Sequence, residues 1–433
     1  MDFLKQFAKN IFQYEARLIL NKYKPKIIVI TGSIGKSLTK EAIYLVLSKH
    51  FYVRKSEKSF TTGLGVPLAI IGCSYGTGGF LTWFENIFFG LKLILFRSNY
   101  PEWLILEVDN DKPGDLRVLS SWLQPDILVM SAIGEVPSHV EYFGSVENFL
   151  LEKKEIIRSI KNGGKIIYNS DDSVIRHLLN DTSILSKKIS CGVYEPSGIC
   201  GSVFEVIYSD TGSEPVGMNF TIKKDDFSQS VKIMKSVGIQ NEYASLLSFA
   251  VGLELGIEPM QIANSLNKFI ALPGRMNIVS GINNSVIIDD SYNSSPSALH
   301  EAIKTLVNLD KSTRRILVAG DMMELGKYSS LEHKKIAELV MGKVDIVFGV
   351  GVRSRRIVDE LLNLGFAPDK VHYKGTSVEA GEELARIVQS GDVILVKGSQ
   401  IMRMERTVLS IMANPEKKKK ILVRQEDEWL IRD

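Results

Sequence analysis

Residues Lys26 to His50, KIIVITGSIGKSLTKEAIYLVLSKH, restrict the folding options of this chain more than any other stretch. Ile27 to Ile30 form an unbroken β-branched run, which reads as a strand covered on both faces in a parallel sheet. The run stops at Thr31-Gly32, and Lys36 to Ser48 then carries helical spacing through Ala42, Ile43, Leu45, Val46 and Leu47. A strand, a glycine loop, a Lys-Ser pair and a helix together cradle a phosphate chain. Loop N–H groups and the positive helix end face the anion, Lys36 adds a point charge, and the Ser37 hydroxyl can bind Mg²⁺. The general phosphate-loop spacing wants a glycine five residues before Gly35, where this chain has Ile30. The shorter G-x-x-G-K-S stands here, making Gly32, Ser33, Gly35, Lys36 and Ser37 the candidate nucleotide contacts.

With 433 residues the chain can bury two or three cores. A net charge of +3 is too small and too dispersed for a nucleic-acid partner. Cys73, Cys191 and Cys200 are odd in number and lack metal spacing, so reduced thiols in a cytoplasmic protein are expected. The six histidines form no metal motif, and the charged residues among Met1 to Tyr23 argue against a secretory signal.

Residues 1–24 read as a basic amphipathic helix, with Phe3, Leu4, Phe7, Ile11, Phe12, Leu18 and Ile19 apolar and Pro25 ending it. It is expected to pack beside the first strand, a membrane-surface contact being the second reading. Phe80 to Phe96 is also apolar, but Glu85, Asn86 and Lys92 interrupt it. It is too short to span a bilayer, so a buried or interfacial helix is expected.

Strands then alternate with helices. Trp103 to Val108, Asp126 to Ile133 and Lys165 to Asn169 predict a parallel, doubly wound sheet. Ile189 to Ile222 changes to short alternating runs, predicting a small antiparallel excursion. Asn241 to Leu255 and Gln261 to Phe269 are helical in pattern. After Leu272-Pro273-Gly274 the rhythm restarts with Val286 to Asp289, Arg314 to Gly320, Val344 to Gly351, Lys370 to Lys374 and Asp392 to Gly398. This predicts a second open parallel sheet, a boundary near residue 273, and a ligand cleft between the two units. Glu107 and Asp109 at a predicted strand end, and His139 in the next loop, offer carboxylate and imidazole groups suited to divalent cations near a nucleotide, with Lys153 one helix further on. The alternative to a functional role is an ordinary surface carboxylate for Glu107, and a lone histidine such as His139 is more often a hydrogen-bonding loop residue than a ligand.

Nine stretches in order carry a family resemblance: ITGSIGKSLTKE, GVPLAI, LEVDNDKPGDL, AIGEVPSHVEYFGSVENFLLEKKEI, YNSDD, LPGRM, DDSYNSSPSAL, VAGDMMELG and LVKGSQIMRMER. On these the chain resembles the Mur ligase family, and within it the branch that adds D-alanyl-D-alanine. The resemblance implies an α/β fold: a P-loop ATPase-like parallel-sheet central domain (25–273) followed by a Rossmann-like C-terminal α/β domain (274–433). It implies an ATP- and Mg²⁺-dependent ligase of peptidoglycan precursor synthesis, joining UDP-MurNAc-tripeptide to D-Ala-D-Ala through an acyl phosphate. Lys36 and Ser37 match the phosphate-loop lysine and the hydroxyl ligand of the nucleotide Mg²⁺; Glu107 and His139 match metal ligands. Lys153 matches the lysine that is carbamylated to hold a second Mg²⁺. Arg275 and Asp290 match residues reaching the nucleotide from the second domain, and Asn293 and Lys397 lie in cleft-facing motifs.

Four departures accompany the match. Only about 24 residues precede the first strand, so the UDP-gripping N-terminal domain is expected to be absent, its role falling to this chain or to a partner. Phe60-Thr61-Thr62-Gly63-Leu64 replaces an asparagine-containing stretch. The H-N-x-x-N adenine motif reads Gln240-Asn241-Glu242-Tyr243-Ala244, and GRME reads Gly274-Arg275-Met276-Asn277. Two other readings therefore stand beside the first: a Mur-like amide ligase with another carboxylate and amine, and a non-catalytic Mur-like binding subunit.

Overall fold

The computed structural model describes residues 2–57, 63–73, 79–180, 184–210, 214–309 and 314–430. Phe60 to Thr62, and the side chains of Phe3, Leu4, Phe7 and Phe80, lie outside the described residues. The first sheet comprises β1 (Lys26–Thr31), β2 (Val53–Lys55), β3 (Trp103–Glu107), β4 (Ile127–Met130), β5 (Lys165–Asn169), β6 (Lys187–Gly192), β7 (Ile199–Gly201), β8 (Glu205–Tyr208), β9 (Pro215–Lys224) and β10 (Phe227–Met234). Their order is β2-β3-β1-β4-β5-β6-β7-β9-β10, with β8 beside β9. Strands β2 to β7 run parallel with β1, whereas β8 and β10 both pair antiparallel with β9, as does β7. The antiparallel excursion is thus present, but it extends the parallel sheet rather than standing apart from it.

Successive residues of β1 face opposite sides, so one apolar run serves two cores. Ile28 and Ile30 pack with the helices Lys36–Leu47 and Ile239–Glu254. Ile27 and Val29 pack with the N-terminal helix Asp2–Tyr23. That helix buries Ala8, Phe12, Ala16 and Ile19, one face at helical spacing, against the helices Gly65–Ile71 and Gly79–Leu95. The described face of this helix, Ala8 to Ile19, therefore packs beside β1 as expected. Helix Gly79–Leu95 is buried at Leu93 and bare at Phe84, Phe88 and Leu95, as an interfacial helix would be. Among the described residues no helix is long and apolar enough to cross a membrane.

Glu15 lies at this helix contact, 2% exposed, with neither carboxylate oxygen hydrogen-bonded among the described residues. Burial pushes its carboxyl up to about 7, and the nearby Cys73 thiol is pushed up to about 11 and stays neutral. A carboxyl whose folded pKa exceeds its unfolded one binds more protons in the native state, so stability falls as pH rises between the two values. Glu15→Gln removes that loss. The difference in thermal midpoint between variant and wild type is expected to grow from pH 5 to about pH 7 and to level off above it. A constant difference would place Glu15 in contact with solvent.

The second sheet holds β11 (Asn277–Ser280), β12 (Val286–Asp290), β13 (Arg315–Gly320), β14 (Ile346–Val350), β15 (Val371–Lys374) and β16 (Val393–Lys397), ordered β11-β12-β16-β13-β14-β15. All pairs are parallel except β11 with β12. The edge strands β2 and β11 went unanticipated, being three and four residues long. Register sets Glu107 opposite Ile30 at the end of β3 and Asp290 opposite Lys397 at the end of β12, so both pairs emerge where the parallel strands finish.

Candidate active site

The loop after β1 is shaped by its glycines. Gly32 has φ +148°, and a Cβ there would stand 2.3 Å from Ser131 Oγ. Gly35, at φ +79°, is the left-handed residue from which helix Lys36–Leu47 starts. The Ser33 and Ile34 N–H groups donate to Ala132 O at 2.5 and 3.0 Å, fastening the loop to the end of β4. Lys36 turns back over it, donating to Gly32 O at 3.0 Å and lying 2.5 Å from Asp109 Oδ2. The Ser37 hydroxyl donates to Glu107 Oε1 at 2.9 Å, and Lys40 Nζ stands 3.5 Å from the other Glu107 oxygen.

Asp109 gathers the cations of this wall. Lys153, fully buried on helix Val146–Arg158, donates to Asp109 Oδ1 at 2.7 Å, to Thr31 Oγ1 at 3.1 Å and to Gly32 O at 3.4 Å. Burial alone would raise the Asp109 carboxyl, but Lys153, Lys36 and His139 more than offset it and hold it well below the usual carboxylate range. Burial likewise lowers Lys153, and Asp109 offsets only part of that.

His139 sits in the left-handed region at φ +67° ahead of a short helix. Its Nδ1 lies 2.5 Å from Glu324 Oε2 and its Nε2 3.8 Å from Asp111 Oδ1. Burial pulls its pKa down, but Glu324, Asp109 and Asp111 outweigh that and raise it. One ligand atom each from Asp109, Asp111 and His139 falls within 4.8 Å of the others. Two carboxylate oxygens and an imidazole suit a hard divalent cation, and the Ser37–Glu107 pair offers a second oxygen-rich position beside the phosphate loop. The donor set therefore fits the divalent cations that the resemblance implies.

From the second sheet, Arg275 crosses the cleft. Its guanidinium stacks 4.0 Å above the Tyr292 ring, and Nη2 donates to Ser37 Oγ at 3.1 Å. Asp290 accepts from Lys397 Nζ at 2.6 Å, which also donates to Asn293 O at 2.8 Å. Burial raises the Asp290 carboxyl despite Lys397 and Arg275. These groups line one cavity of about 390 Å³ running from Ser33 and Lys36 to Asp290, Asn293 and Lys397.

Every site residue singled out in the sequence except Gly32 and Lys153 lines this cleft. Gly32 shapes its loop, and Lys153 lies behind Asp109. Gln240 faces the cleft, whereas Asn241 is buried and donates to Ser236 Oγ and Val237 O, a structural duty. Asp111, Lys40, Tyr292 and Glu324 were not singled out. Glu324 stands in the quoted run VAGDMMELG, where an acidic residue just before Gly326 at a predicted strand end is the signal that would have found it.

Comparison with known proteins follows this geometry. The Mur ligase middle domain matches residues 30–250, and the Mur ligase, glutamate ligase domain matches residues 274–400. A UDP-N-acetylmuramoyl-tripeptide–D-alanyl-D-alanine ligase of Bacillus subtilis is 27% identical over 404 residues, covering 93% of this chain and 79% of its own. A MurF ligase from Thermotoga maritima, solved in complex with ADP, superposes with a TM-score of 0.75 at 23% identity, over 95% of this chain and 84% of that one. A MurF from Acinetobacter baumannii gives a TM-score of 0.74 at 22% identity, over 92% and 79%.

Proposed function

Because the chain belongs to the Mur ligase family, we propose that it is an ATP-dependent amide-forming ligase that joins D-Ala-D-Ala to UDP-MurNAc-tripeptide. In this reading residues 25–273 bind the nucleotide and residues 274–433 close over it. The observation that carries it is the reach of Arg275 from the second half to the Ser37 hydroxyl of the phosphate loop. One catalytic surface is thereby assembled from both halves.

The chemistry has two steps. A substrate carboxylate oxygen attacks the γ-phosphorus and ADP departs, giving an acyl phosphate. The amine nitrogen then attacks the acyl carbon, phosphate leaves with the C–O bonding pair, and the nitrogen loses one proton. Both the first reactants are anions, so the site must supply positive charge. Lys36 and the N-terminal end of helix Lys36–Leu47 would face the phosphates from one side and Arg275 from the other. Divalent cations held by Ser37 and Glu107, and by Asp109, Asp111 and His139, would neutralise phosphate charge when bound. Asp290, which accepts from Lys397, would contact the nucleotide from the second half. Glu324 of the second half meets His139 of the first, and closure of the cleft around that contact would keep water from the acyl phosphate.

Phosphate release in ATP and Mg²⁺ tests the reading. Release that needs both UDP-MurNAc-tripeptide and D-Ala-D-Ala, with a product heavier by the dipeptide, is the expected result. Release without that product assigns another carboxylate and amine, and no release under any condition leaves a binding subunit. Arg275→Ala is expected to weaken ADP binding ten- to hundredfold, about 1.5–3 kcal/mol for a lost charge-assisted bond, in a calorimetric titration. Unchanged affinity would remove Arg275 from the site.

A further inference from the structure

Helix Gly79–Leu95 carries apolar side chains on both of its faces. The inner face is committed: Leu93 is buried, and Gly90 meets the N-terminal helix so closely that a Cβ there would stand 2.3 Å from Glu15 Oε2. The outer face shows Phe84, Phe88, Leu91 and Leu95, spaced i, i+4, i+7 and i+11, which makes one stripe along the helix. Phe88 and Leu95 are each 71% exposed, and Phe89 and Phe96 widen the stripe on its flanks. Single apolar residues are ordinary on a soluble surface, whereas a contiguous stripe marks contact with something outside the chain.

Charge identifies that contact. Lys92 and Arg97 are exposed at the C-terminal end of the stripe. The end of helix Asp2–Tyr23 brings Lys22 and Lys24 beside them, because the Tyr23 hydroxyl donates to Leu93 O and Phe96 O at 3.0 and 3.1 Å. None of these four cations meets a carboxylate among the described residues. Glu85, towards the other end, is the one acidic residue between positions 79 and 97. A helix C-terminus is itself negative and would repel an anion. Here Lys22 Nζ donates to Leu93 O, Ile94 O and Phe96 O at 2.8, 2.9 and 2.6 Å, which offsets that charge. Beside it a hollow lined by Tyr23, Arg97, Ser98, Asn99 and Tyr100 carries the Arg97 guanidinium, a fork that fits phosphate oxygens.

We propose that this helix docks the protein on an anionic lipid surface, with the outer stripe in the interface and Lys22, Lys24, Lys92 and Arg97 meeting lipid phosphates. A lipid surface fits better than a protein partner. The stripe is a ridge one helix wide and about 25 Å long. Such a ridge needs a yielding apolar layer, not a matching groove. The contact is superficial, since among the described residues no helix is long and apolar enough to cross a membrane. The basic end precedes the starts of β1 and β3, whereas the cleft opens where those strands finish. Docking therefore leaves the cleft open, whichever carboxylate and amine it joins.

Co-sedimentation of the full chain with lipid vesicles tests this. Binding to vesicles of phosphatidylglycerol and phosphatidylcholine in equal parts is expected to be about tenfold or more tighter than to phosphatidylcholine alone, and to weaken as salt rises. Phe88→Ser with Leu95→Ser should weaken it at least about tenfold, as should Lys92→Gln with Arg97→Gln. All four side chains are exposed, so both variants should unfold close to wild type. Equal binding to neutral and anionic vesicles, or binding to neither, overturns the proposal. Vesicle binding that survives Phe88→Ser with Leu95→Ser also overturns it, as does self-association of the chain that this variant abolishes, for then a second copy covers the stripe. Should a variant fail to fold, the comparison of vesicles on the unaltered chain still decides.

Discussion

Lys36→Ala is expected to lower kcat for ATP-dependent phosphate release by about a thousandfold, ~4 kcal/mol of transition-state stabilisation. The effect should be this large because Lys36 meets charge that develops on the transferring group, at the mouth of a partly buried loop where few other cations reach. Lys36 lies 2.5 Å from Asp109 and Arg275 enters from the opposite half, so no neighbour can slide into its place. Folding should survive: Lys153 still pairs with Asp109 at 2.7 Å, and the loop keeps its anchors to Ala132. The variant should therefore unfold within a few degrees of wild type while losing turnover. Lys36→Arg is expected to recover little, since a planar fork replaces a compact point charge. Full phosphate release by Lys36→Ala would refute the catalytic reading of the phosphate loop.

Lys36 was legible in the sequence because its whole context is local. The Ile27–Ile30 run, the glycine turn and the helix that follows lie within 25 residues, and each has its own periodic or conformational signature. The positions of the strands along the chain follow nearly as directly from their apolar runs, and the runs at β5, β13 and β16 fall within one residue of their observed bounds. What could not be read is pairing across the chain. Asp109 and Lys153 are 44 residues apart, and nothing at either position announces that one carboxylate holds two lysines. Glu324 meets His139 only because two separately folded sheets approach, which no periodicity encodes. Glu15 is a further case: on a helical wheel it looks like one more polar residue, yet the helix Gly79–Leu95 covers it. The resemblance supplied roles for matched positions; the contacts that give those roles their electrostatics came from packing.

Glu405→Ala is expected to have the largest effect on stability, about 3–5 kcal/mol, with a fall in unfolding midpoint of ~10 °C for the second half. Glu405 is 1% exposed and carries two guanidinium groups: Arg403 Nε donates to Oε1 at 2.6 Å, and Arg424 donates to Oε2 at 3.1 and 2.7 Å. Removing the carboxylate leaves two buried cations facing each other across a void, which costs more than the pair bonds themselves are worth. Glu405→Gln keeps one acceptor and the volume, so its loss should fall between wild type and Glu405→Ala. The consequence reaches the active site. Arg424 also donates to Ser291 O and Tyr292 O at 2.6 and 2.9 Å, fixing the loop whose Tyr292 ring supports the Arg275 guanidinium. Once Glu405 no longer orients Arg424, Tyr292 and Arg275 lose their backing. Folded Glu405→Gln should then show a raised KM for ATP with kcat reduced less, because the chemistry at Lys36 is untouched. If instead Glu405→Gln unfolds earlier with an unchanged KM, the network stabilises the second sheet without positioning Arg275.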